Sequence, residues 1–312
     1  MKGFHPALYR QAFHPVGRAQ RSPRTESKAM RSFQHLPTRR ALVLGLALAA
    51  LTGLTGLCPT AAVAQENLRV TGTGSATGGM QLLLQAFLRT HPGVAGEVLP
   101  ALGSAGGIRA LIDGKIEVAV SNRAPNDKER ALAPLQAITY ARTPLVIAVH
   151  KGLGVTALTS DQLAALYGEG APTFANARRA RPVLRLADAT DTAIIKSISP
   201  AVAAAIDAAA GRRGVLDGTT DSDTADLLER TPGAFGPSTL ALIESEGRPL
   251  VALTIDGVTP TLANLANGTW KLHKPLIMVV PEKPAPLVQQ FVTFVQSAQG
   301  RRIMAAAGHG QP

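Results

Sequence analysis

The chain contains two glycine-rich turns that include a serine, and each lies next to a strand-like or helix-like segment. These turns limit the folds that the chain can adopt. The first spans residues 71–79 after the strand-like run 68–70, and the second spans 102–107 before the helix-like run 108–112. Helix starts present unpaired amides and the positive end of the helix dipole. Two such turns about 30 residues apart predict a small anion, or a carboxylate-bearing solute, held between helix N-termini. The alternative is a pair of ordinary strand-to-helix connections with good N-caps.

Strand-like and helix-like segments alternate along the rest of the chain. Strands are predicted at 68–71, 94–99, 118–121, 145–149, 182–186 and 276–280. Helices are predicted at 79–90, 108–113, 127–133, 192–206 with an interruption near Pro200, 223–230 and 286–307. This pattern indicates an α/β fold with parallel sheets, and the length suits two lobes. Ligands of such folds bind beyond the carboxyl ends of strands, where both turns lie.

The N-terminal segment is typical of an exported protein. Arg39 and Arg40 precede the apolar run 41–57, and Ala62-Val63-Ala64 supplies a cleavage site. We therefore expect residues 1–64 to be a signal peptide with a long basic start, loosely similar to a twin-arginine signal, and the mature protein to be periplasmic. A signal anchor is the alternative. Cys58, the single cysteine, would be removed, leaving a mature chain without a disulfide.

The charge of the chain is concentrated in this segment. Residues 1–64 hold nine of the 32 Lys and Arg and one of the 21 Asp and Glu, so the remainder has 23 basic and 20 acidic residues. A net charge of +3 on about 248 residues is ordinary for a soluble surface. We expect no nucleic-acid partner.

The sequence contains no complete enzyme or metal motif. The first turn lacks the last glycine of a dinucleotide fingerprint and the lysine of a phosphate loop. The histidines after residue 64 have no metal-ligand spacing. Asp221 and Asp223 either bind a cation or form a solvated loop and helix cap, and we favour the second interpretation because no calcium-loop pattern is completed. We expect no enzyme activity, no cofactor and no metal.

Several segments together resemble the periplasmic phosphate-binding protein family, the type II solute-binding proteins of ABC importers. The resemblance covers nearly all of residues 67–309, and its order and spacing are more specific than any single motif. The matching segments are 70–75, 103–108, 114–123, 158–163, 232–236, 267–276 and 291–308.

The resemblance implies two α/β lobes joined by two crossover strands, near 145–149 and 272–280. Residues 65–147 would form the first part of lobe 1, 148–272 lobe 2, and 273–312 a crossover and the C-terminal helix of lobe 1. The ligand would lie in the cleft between the lobes. The implied ligand-binding residues are Ser75, Ala76, Ser104, Gly106, Gly107 and Asn122 from lobe 1, and Arg185, Thr190, Asp191 and Thr192 from lobe 2.

Three residues depart from the family pattern. Asp191 replaces a glycine, and Leu186 occupies the position of an arginine, with Arg185 one residue away. A carboxylate repels a neighbouring oxyanion, so we expect Asp191 to point outward or to carry a counter-cation. Asn122 replaces an aspartate, and its amide group could donate to a fully ionised anion.

The sequence thus predicts a monomeric periplasmic protein that captures phosphate or a related small oxyanion for the permease of an ABC transporter. The alternative is a degenerate binding-protein fold that docks a protein partner as a sensory or assembly module. A third hypothesis, a periplasmic phosphatase, lacks a visible metal cluster or activated nucleophile.

Overall fold

Strands and helices alternate in a computed structural model, which describes residues 67–170 and 172–312. The strands are β1 Asn67–Gly72, β2 Ala95–Val98, β3 Val118–Ser121, β4 Leu135–His150, β5 Ala157–Leu158, β6 Arg181–Arg185, β7 Leu216–Gly218, β8 Ala234–Thr239, β9 Leu250–Ala252, β10 Thr254–Ile255 and β11 His273–Pro281. The helices are α1 Gly74–Leu88, α2 Gly103–Ile112, α3 Asp127–Leu132, α4 Ser160–Leu166, α5 Thr190–Lys196, α6 Pro200–Ala209, α7 Asp221–Arg230, α8 Leu240–Ser245, α9 Leu262–Ala266, α10 Pro286–Gln296 and α11 Ala298–Ala305. The predicted signal peptide and Cys58 lie outside the described residues.

Nine strands form one sheet in the order β2-β1-β3-β11-β4-β8-β6-β7, with β9 paired to β4. Towards both ends the strands run parallel: β1 with β2 and β3, and β6 with β7 and β8. In the centre, β11 is antiparallel to β3 and β4, and β4 is antiparallel to β8. This architecture confirms the predicted α/β fold class.

Two large hydrophobic cores pack on the two halves of this sheet. Core A surrounds Phe87 and Phe291, whose ring centroids lie 5.3 Å apart. Core B surrounds Tyr167 and Phe235, whose centroids lie 4.9 Å apart. Burying each of the three phenylalanine side chains contributes roughly 1.5–3 kcal/mol to the free energy of unfolding. The predicted lobe boundaries themselves remain predictions.

β4 connects the two cores because it pairs with β11 over residues 135–144 and with β8 over residues 145–149. Its second part, Leu145 to Val149, is buried throughout, as expected for an apolar run covered on both faces. The strand is longer than the sequence indicated, because residues 135–139 are exposed or half-buried and therefore form no apolar run.

The prediction of a single C-terminal helix over 286–307 is wrong in one respect, since the structure has two helices there, α10 and α11. Ser297 has an extended backbone between them, and its hydroxyl accepts from the Gly300 amide to cap α11. A Cβ at Gly300 would lie 2.3 Å from the Val295 carbonyl oxygen, so the break depends on a close backbone approach.

Six short elements were not predicted, because they are too brief to show a period: the helices α8 and α9 and the strands β5, β7, β9 and β10. Within the described ranges, no helix is long and apolar enough to span a membrane.

Candidate functional site

The N-terminus of α1 forms the first part of the candidate site. β1 ends at Gly72, whose φ is +148°, and a Cβ there would lie 1.9 Å from the Val120 carbonyl oxygen. This position therefore requires glycine, which sets the direction in which the chain enters α1. Thr73 is the N-cap residue, but its hydroxyl makes no capping bond to its own helix. The first amides of α1 are left for a group from elsewhere in the chain.

That group is the carboxylate of Asp221, the first residue of α7. Asp221 Oδ2 lies 2.7 Å from the Thr73 hydroxyl and 3.3 Å from the Ser75 amide nitrogen, both of which donate to it. The carboxylate thus occupies a helix N-terminus, where amides and the helix dipole stabilise negative charge. Asp221 is only 4% exposed, so the prediction of a solvated helix cap is wrong here. The start of α7 is instead packed against α1.

Lys274, in β11, is the centre of a buried charged group. Its Nζ lies 2.7 Å from Asp221 Oδ1 and 2.5 Å from Asp191 Oδ1. Arg185 Nε lies 3.2 Å from Asp191 Oδ2, so Asp191 carries counter-cations, one of the two alternatives predicted for it. We call these four residues the ion-pair cluster. Its two positive and two negative formal charges sum to zero, and its lysine and aspartate side chains are 2–3% exposed.

Burial and mutual attraction together set the charge states of the cluster. Burial disfavours charged Lys274, but the attraction of Asp191 and Asp221 is larger in sum and raises the lysine pKa. Burial also disfavours ionised Asp221, but attraction to Lys274 and Arg185 lowers its pKa. Burial and the nearby Asp221 charge raise the pKa of Asp191, against the attraction of the cations. Lys274 and Asp221 are therefore charged at neutral pH.

Asn122 connects the two turns singled out in the sequence. Its Oδ1 lies 2.5 Å from the Thr73 hydroxyl and 3.1 Å from the Ser75 hydroxyl. Its side-chain amide donates to the Pro275 carbonyl at 2.9 Å, and its backbone amide donates to the Ser104 hydroxyl at 3.0 Å. Asn122 thus presents its oxygen to the hydroxyls, whereas the sequence suggested an amide donor to an anion. The amide group already has its partner in β11.

The segment before α5 is arranged differently from the predicted anion-binding loop. Arg185 donates from Nη1 to the Gly218 carbonyl at 2.9 Å, in addition to its ion pair. The Thr192 hydroxyl donates to the Leu186 carbonyl at 2.9 Å, within the same loop. Thr190 is exposed, and Leu186 is 49% exposed. The structure therefore brings Arg185 to the cluster and keeps both threonine hydroxyls out of it.

The remaining predicted site residues lie in the first turns of α1 and α2. Ala76 is buried in the first turn of α1. Gly106 and Gly107 lie in the first turns of α2, and a Cβ at Gly107 would lie 2.6 Å from the Gly72 Cα. Gly107 therefore allows α2 to pack directly on the end of β1. These placements bring the two turns side by side, and the binding roles of these residues remain predictions.

Two glycines of the first turn lie where α1 meets helices of core B. A Cβ at Gly74 would lie 2.6 Å from Ser222 Oγ in α7, and one at Gly78 would lie 2.2 Å from Ser245 Oγ in α8. The glycine-rich sequence thus allows a close contact between α1 and two helices that pack on core B. A cavity of about 410 Å³ opens beside this contact, lined by Thr77 and Ser222 among others. A larger cavity, about 680 Å³, lies elsewhere on core B and includes none of the predicted site residues.

Sequence reasoning missed Lys274 and misjudged Asp221. Lys274 lies within the family-like segment 267–276, and the residues that follow it in β11 are all apolar. A lysine in such a run is rarely buried without a charged partner, so this pattern was an available signal. Asp221 carried no such signal, because aspartates at helix starts are usually solvent-exposed caps. Over the described residues, no three His, Cys, Asp or Glu side chains are placed to hold a metal ion.

Comparison with known proteins assigns the fold. A family model described as a PBP superfamily domain matches residues 59–299. A structure assigned as a phosphate ABC transporter substrate-binding protein from Clostridium perfringens, with bound phosphate, has a TM-score of 0.61 and 20% identity, covering 79% of this chain and 100% of that chain. The search of curated proteins finds no match.

Two further solved structures share this architecture. An ABC-type phosphate transport receptor from Vibrio cholerae has a TM-score of 0.50 and 20% identity, covering 79% of this chain and 100% of that chain. The periplasmic molybdate-binding protein of Azotobacter vinelandii has a TM-score of 0.55 and 15% identity, covering 78% and 99%. The matched family and these neighbours are binding proteins, not enzymes. Because the family match spans most of the chain and agrees with the observed α/β architecture, the protein belongs to the PBP superfamily.

Proposed function

We propose that this protein captures a small oxyanion, phosphate or a relative, between cores A and B for delivery to an ABC transporter in the periplasm. The observation that carries the proposal is the environment of the Asp221 carboxylate. A helix amide, a hydroxyl and a buried ammonium group all donate to it. The same kinds of donor bind inorganic oxyanions in proteins. The neighbouring structures are named as proteins that bind phosphate or molybdate, and these names support an oxyanion as the ligand.

Capture in this cleft requires Asp221 to leave its donors. Asp221 lies on α7, which packs on core B, whereas Thr73 and Ser75 lie at the start of α1, which packs on core A. An opening movement that bends β4 and β11 would separate the two sets of groups and admit a dissolved anion. Closure would then place the anion against Lys274 and the start of α1. Delivery needs no covalent step.

Thermal unfolding of the full chain in the presence of phosphate, sulfate, phosphonates, molybdate and small carboxylates tests this proposal. A ligand present at 100 times its dissociation constant adds about 2.7 kcal/mol to the free energy of unfolding. We expect a saturable rise in melting temperature with one ligand class, confirmed by calorimetric titration. A well-folded protein that responds to none of these anions would contradict the proposal.

Ser104→Asp is the matched variant for this experiment. The Ser104 hydroxyl accepts from the Asn122 backbone amide at 3.0 Å, so an added carboxylate would introduce a fixed negative charge beside the anion position. We expect this variant to keep its fold, checked by circular dichroism, and to lose the ligand-induced shift. Unchanged affinity in the variant would exclude this cleft as the binding site.

A second candidate function is a partner-docking module, and one observation favours it. The ion-pair cluster is formally neutral and buried, and α1 contacts α7 and α8 directly. A cleft filled in this way would serve only to hold the two cores together. Under this function no anion in the panel changes the melting temperature, and Ser104→Asp behaves like the parent chain in every ligand.

A further inference from the structure

We propose that Asp221 is an intramolecular competitor for the anion position, so that its carboxylate limits the affinity of this protein for dissolved oxyanions. The inference rests on the function proposed above and names the residue that regulates the same site. It follows from the contacts of the carboxylate, from the charge of the cluster and from the way α7 holds Asp221.

Both oxygens of the carboxylate are bound, each by a different part of core A. Oδ1 accepts from Lys274 Nζ at 2.7 Å, on β11. Oδ2 accepts from the Thr73 hydroxyl at 2.7 Å and lies 3.3 Å from the Ser75 amide nitrogen. A phosphate held between the start of α1 and the lysine would need the same protons. Asp221 and a dissolved anion therefore exclude each other.

The charge of the cluster leads to the same conclusion. With Asp221 in place, Lys274 and Arg185 are balanced by the two aspartates, and a further anion would be buried without a counter-charge. Such burial is strongly unfavourable. When Asp221 withdraws, Lys274, Arg185 and Asp191 leave a formal charge of +1, which a singly charged oxyanion such as dihydrogen phosphate neutralises. Exchange of one anion for the other thus keeps the closed cleft neutral.

The backbone of α7 presents the carboxylate to this position. The Thr220 hydroxyl caps the helix by accepting from the Asp223 amide at 3.0 Å, and Ser222 packs against Gly74. A group attached to the chain competes at a high effective concentration, on the order of millimolar for flexible tethers. Its displacement requires α7 to move away from α1, beside the cavity of about 410 Å³ that Ser222 lines. Because the pKa of Asp221 is lowered, the competing charge persists in mildly acidic solution.

Calorimetric titration of the full chain with inorganic phosphate tests the inference, using Asp221→Ala and Asp221→Asn. Lys274 keeps Asp191 as a partner in both variants, and the asparagine variant preserves the shape of the side chain. Asp223→Ala is the matched control. It removes the same charge from the same helix turn, but its carboxylate accepts from the Thr219 amide at 2.8 Å, outside the cluster.

We expect phosphate affinity to rise at least about tenfold in both Asp221 variants, which corresponds to a parent cleft occupied by Asp221 at least about 90% of the time. Asp223→Ala should bind like the parent chain. Equal affinity in the parent and the Asp221 variants would overturn the competitor role and leave the proposed function intact. An equal gain in phosphate affinity for Asp223→Ala would show that the effect comes from the overall charge of the protein. That result would also overturn the competitor role. Absence of phosphate binding in every folded variant would overturn both proposals.

Discussion

At the scale of single residues, Lys274 determines how the charges of the cleft are arranged. It is fully buried and holds two carboxylates from helices of core B, at 2.5 and 2.7 Å. A buried ion pair gains little over apolar packing, but removal of one partner leaves an uncompensated charge. Here the loss of the lysine would leave Asp221 without a cationic partner and Asp191 with Arg185 alone. Its importance is therefore larger than that of a surface ion pair such as Arg109 with Asp113.

Lys274→Met is expected to lower the free energy of unfolding by about 3–5 kcal/mol at neutral pH. The exposed Lys271→Met is the control and should change it by less than about 0.5 kcal/mol. Urea denaturation of both variants measures the difference.

Lys274→Met should also reverse the direction in which the free energy of unfolding changes as the pH falls. In the parent chain the pKa of Asp221 is lowered by folding, so its contribution to stability is present above the ordinary aspartate pKa of about 3.9 and is lost as the pH falls further. Without Lys274, the buried carboxylates favour the protonated form, and Lys274→Met should gain stability as the pH falls from 7 towards 4. A stability difference that does not change with pH would contradict this account of the cluster.

At the scale of elements, α1 combines a helix start that binds a carboxylate with a glycine-rich face that contacts core B. Gly74 and Gly78 are one helical turn apart, on the same side of α1. Glycine in a helix normally costs stability relative to alanine, so its use here requires a compensating contact. That contact is the close approach of α7 and α8.

Gly78→Ala is expected to lower the melting temperature, although the substitution in an open helix would stabilise by about 1 kcal/mol. The reason is that the new Cβ would lie 2.2 Å from Ser245 Oγ. The double variant with Ser245→Gly removes that oxygen and should recover much of the loss. A higher melting temperature for Gly78→Ala alone would show that the helices separate easily at this point.

At the scale of the whole molecule, the two cores are connected by the central strands, by the ion-pair cluster and by Thr143. The Thr143 hydroxyl, in β4, donates to the Gly308 carbonyl and accepts from the Ala241 amide, both at 3.0 Å. Ala241 is the second residue of α8, beside core B, and Gly308 follows α11 beside core A. A single buried hydroxyl thus joins segments that are far apart in the chain.

Thr143→Val keeps the shape of this side chain but leaves a buried amide and a buried carbonyl without a partner. We expect a loss of about 1–3 kcal/mol in the free energy of unfolding. Calorimetry should show a single transition for the parent and a broader one for the variant, because the cores are less tightly coupled. Thr139→Val, at an exposed position of the same strand, is the control and should leave the transition unchanged.

Much of the fold was predictable from the sequence because long elements have clear periods. The strand at 118–121 and the buried run 145–149 were identified from apolar residues alone. The glycine-rich turns do mark two helix starts, but the helices begin inside the turns, at Gly74 and Gly103, and not after them at 79 and 108 as predicted. The site was predicted less well, since Ser75, Asn122, Arg185 and Asp191 do meet, whereas Thr190 and Thr192 stay outside the cluster.

The sequence by itself determined the elements and their class, because local periodicity and turn chemistry act over a few residues. It also determined which residue types could donate to an anion. Only the tertiary structure decided that a carboxylate of the chain accepts those bonds, because Asp221 lies 148 residues after Thr73 and 53 before Lys274. Contacts between charges so distant in sequence depend on how the two cores pack together, and no local pattern encodes that packing.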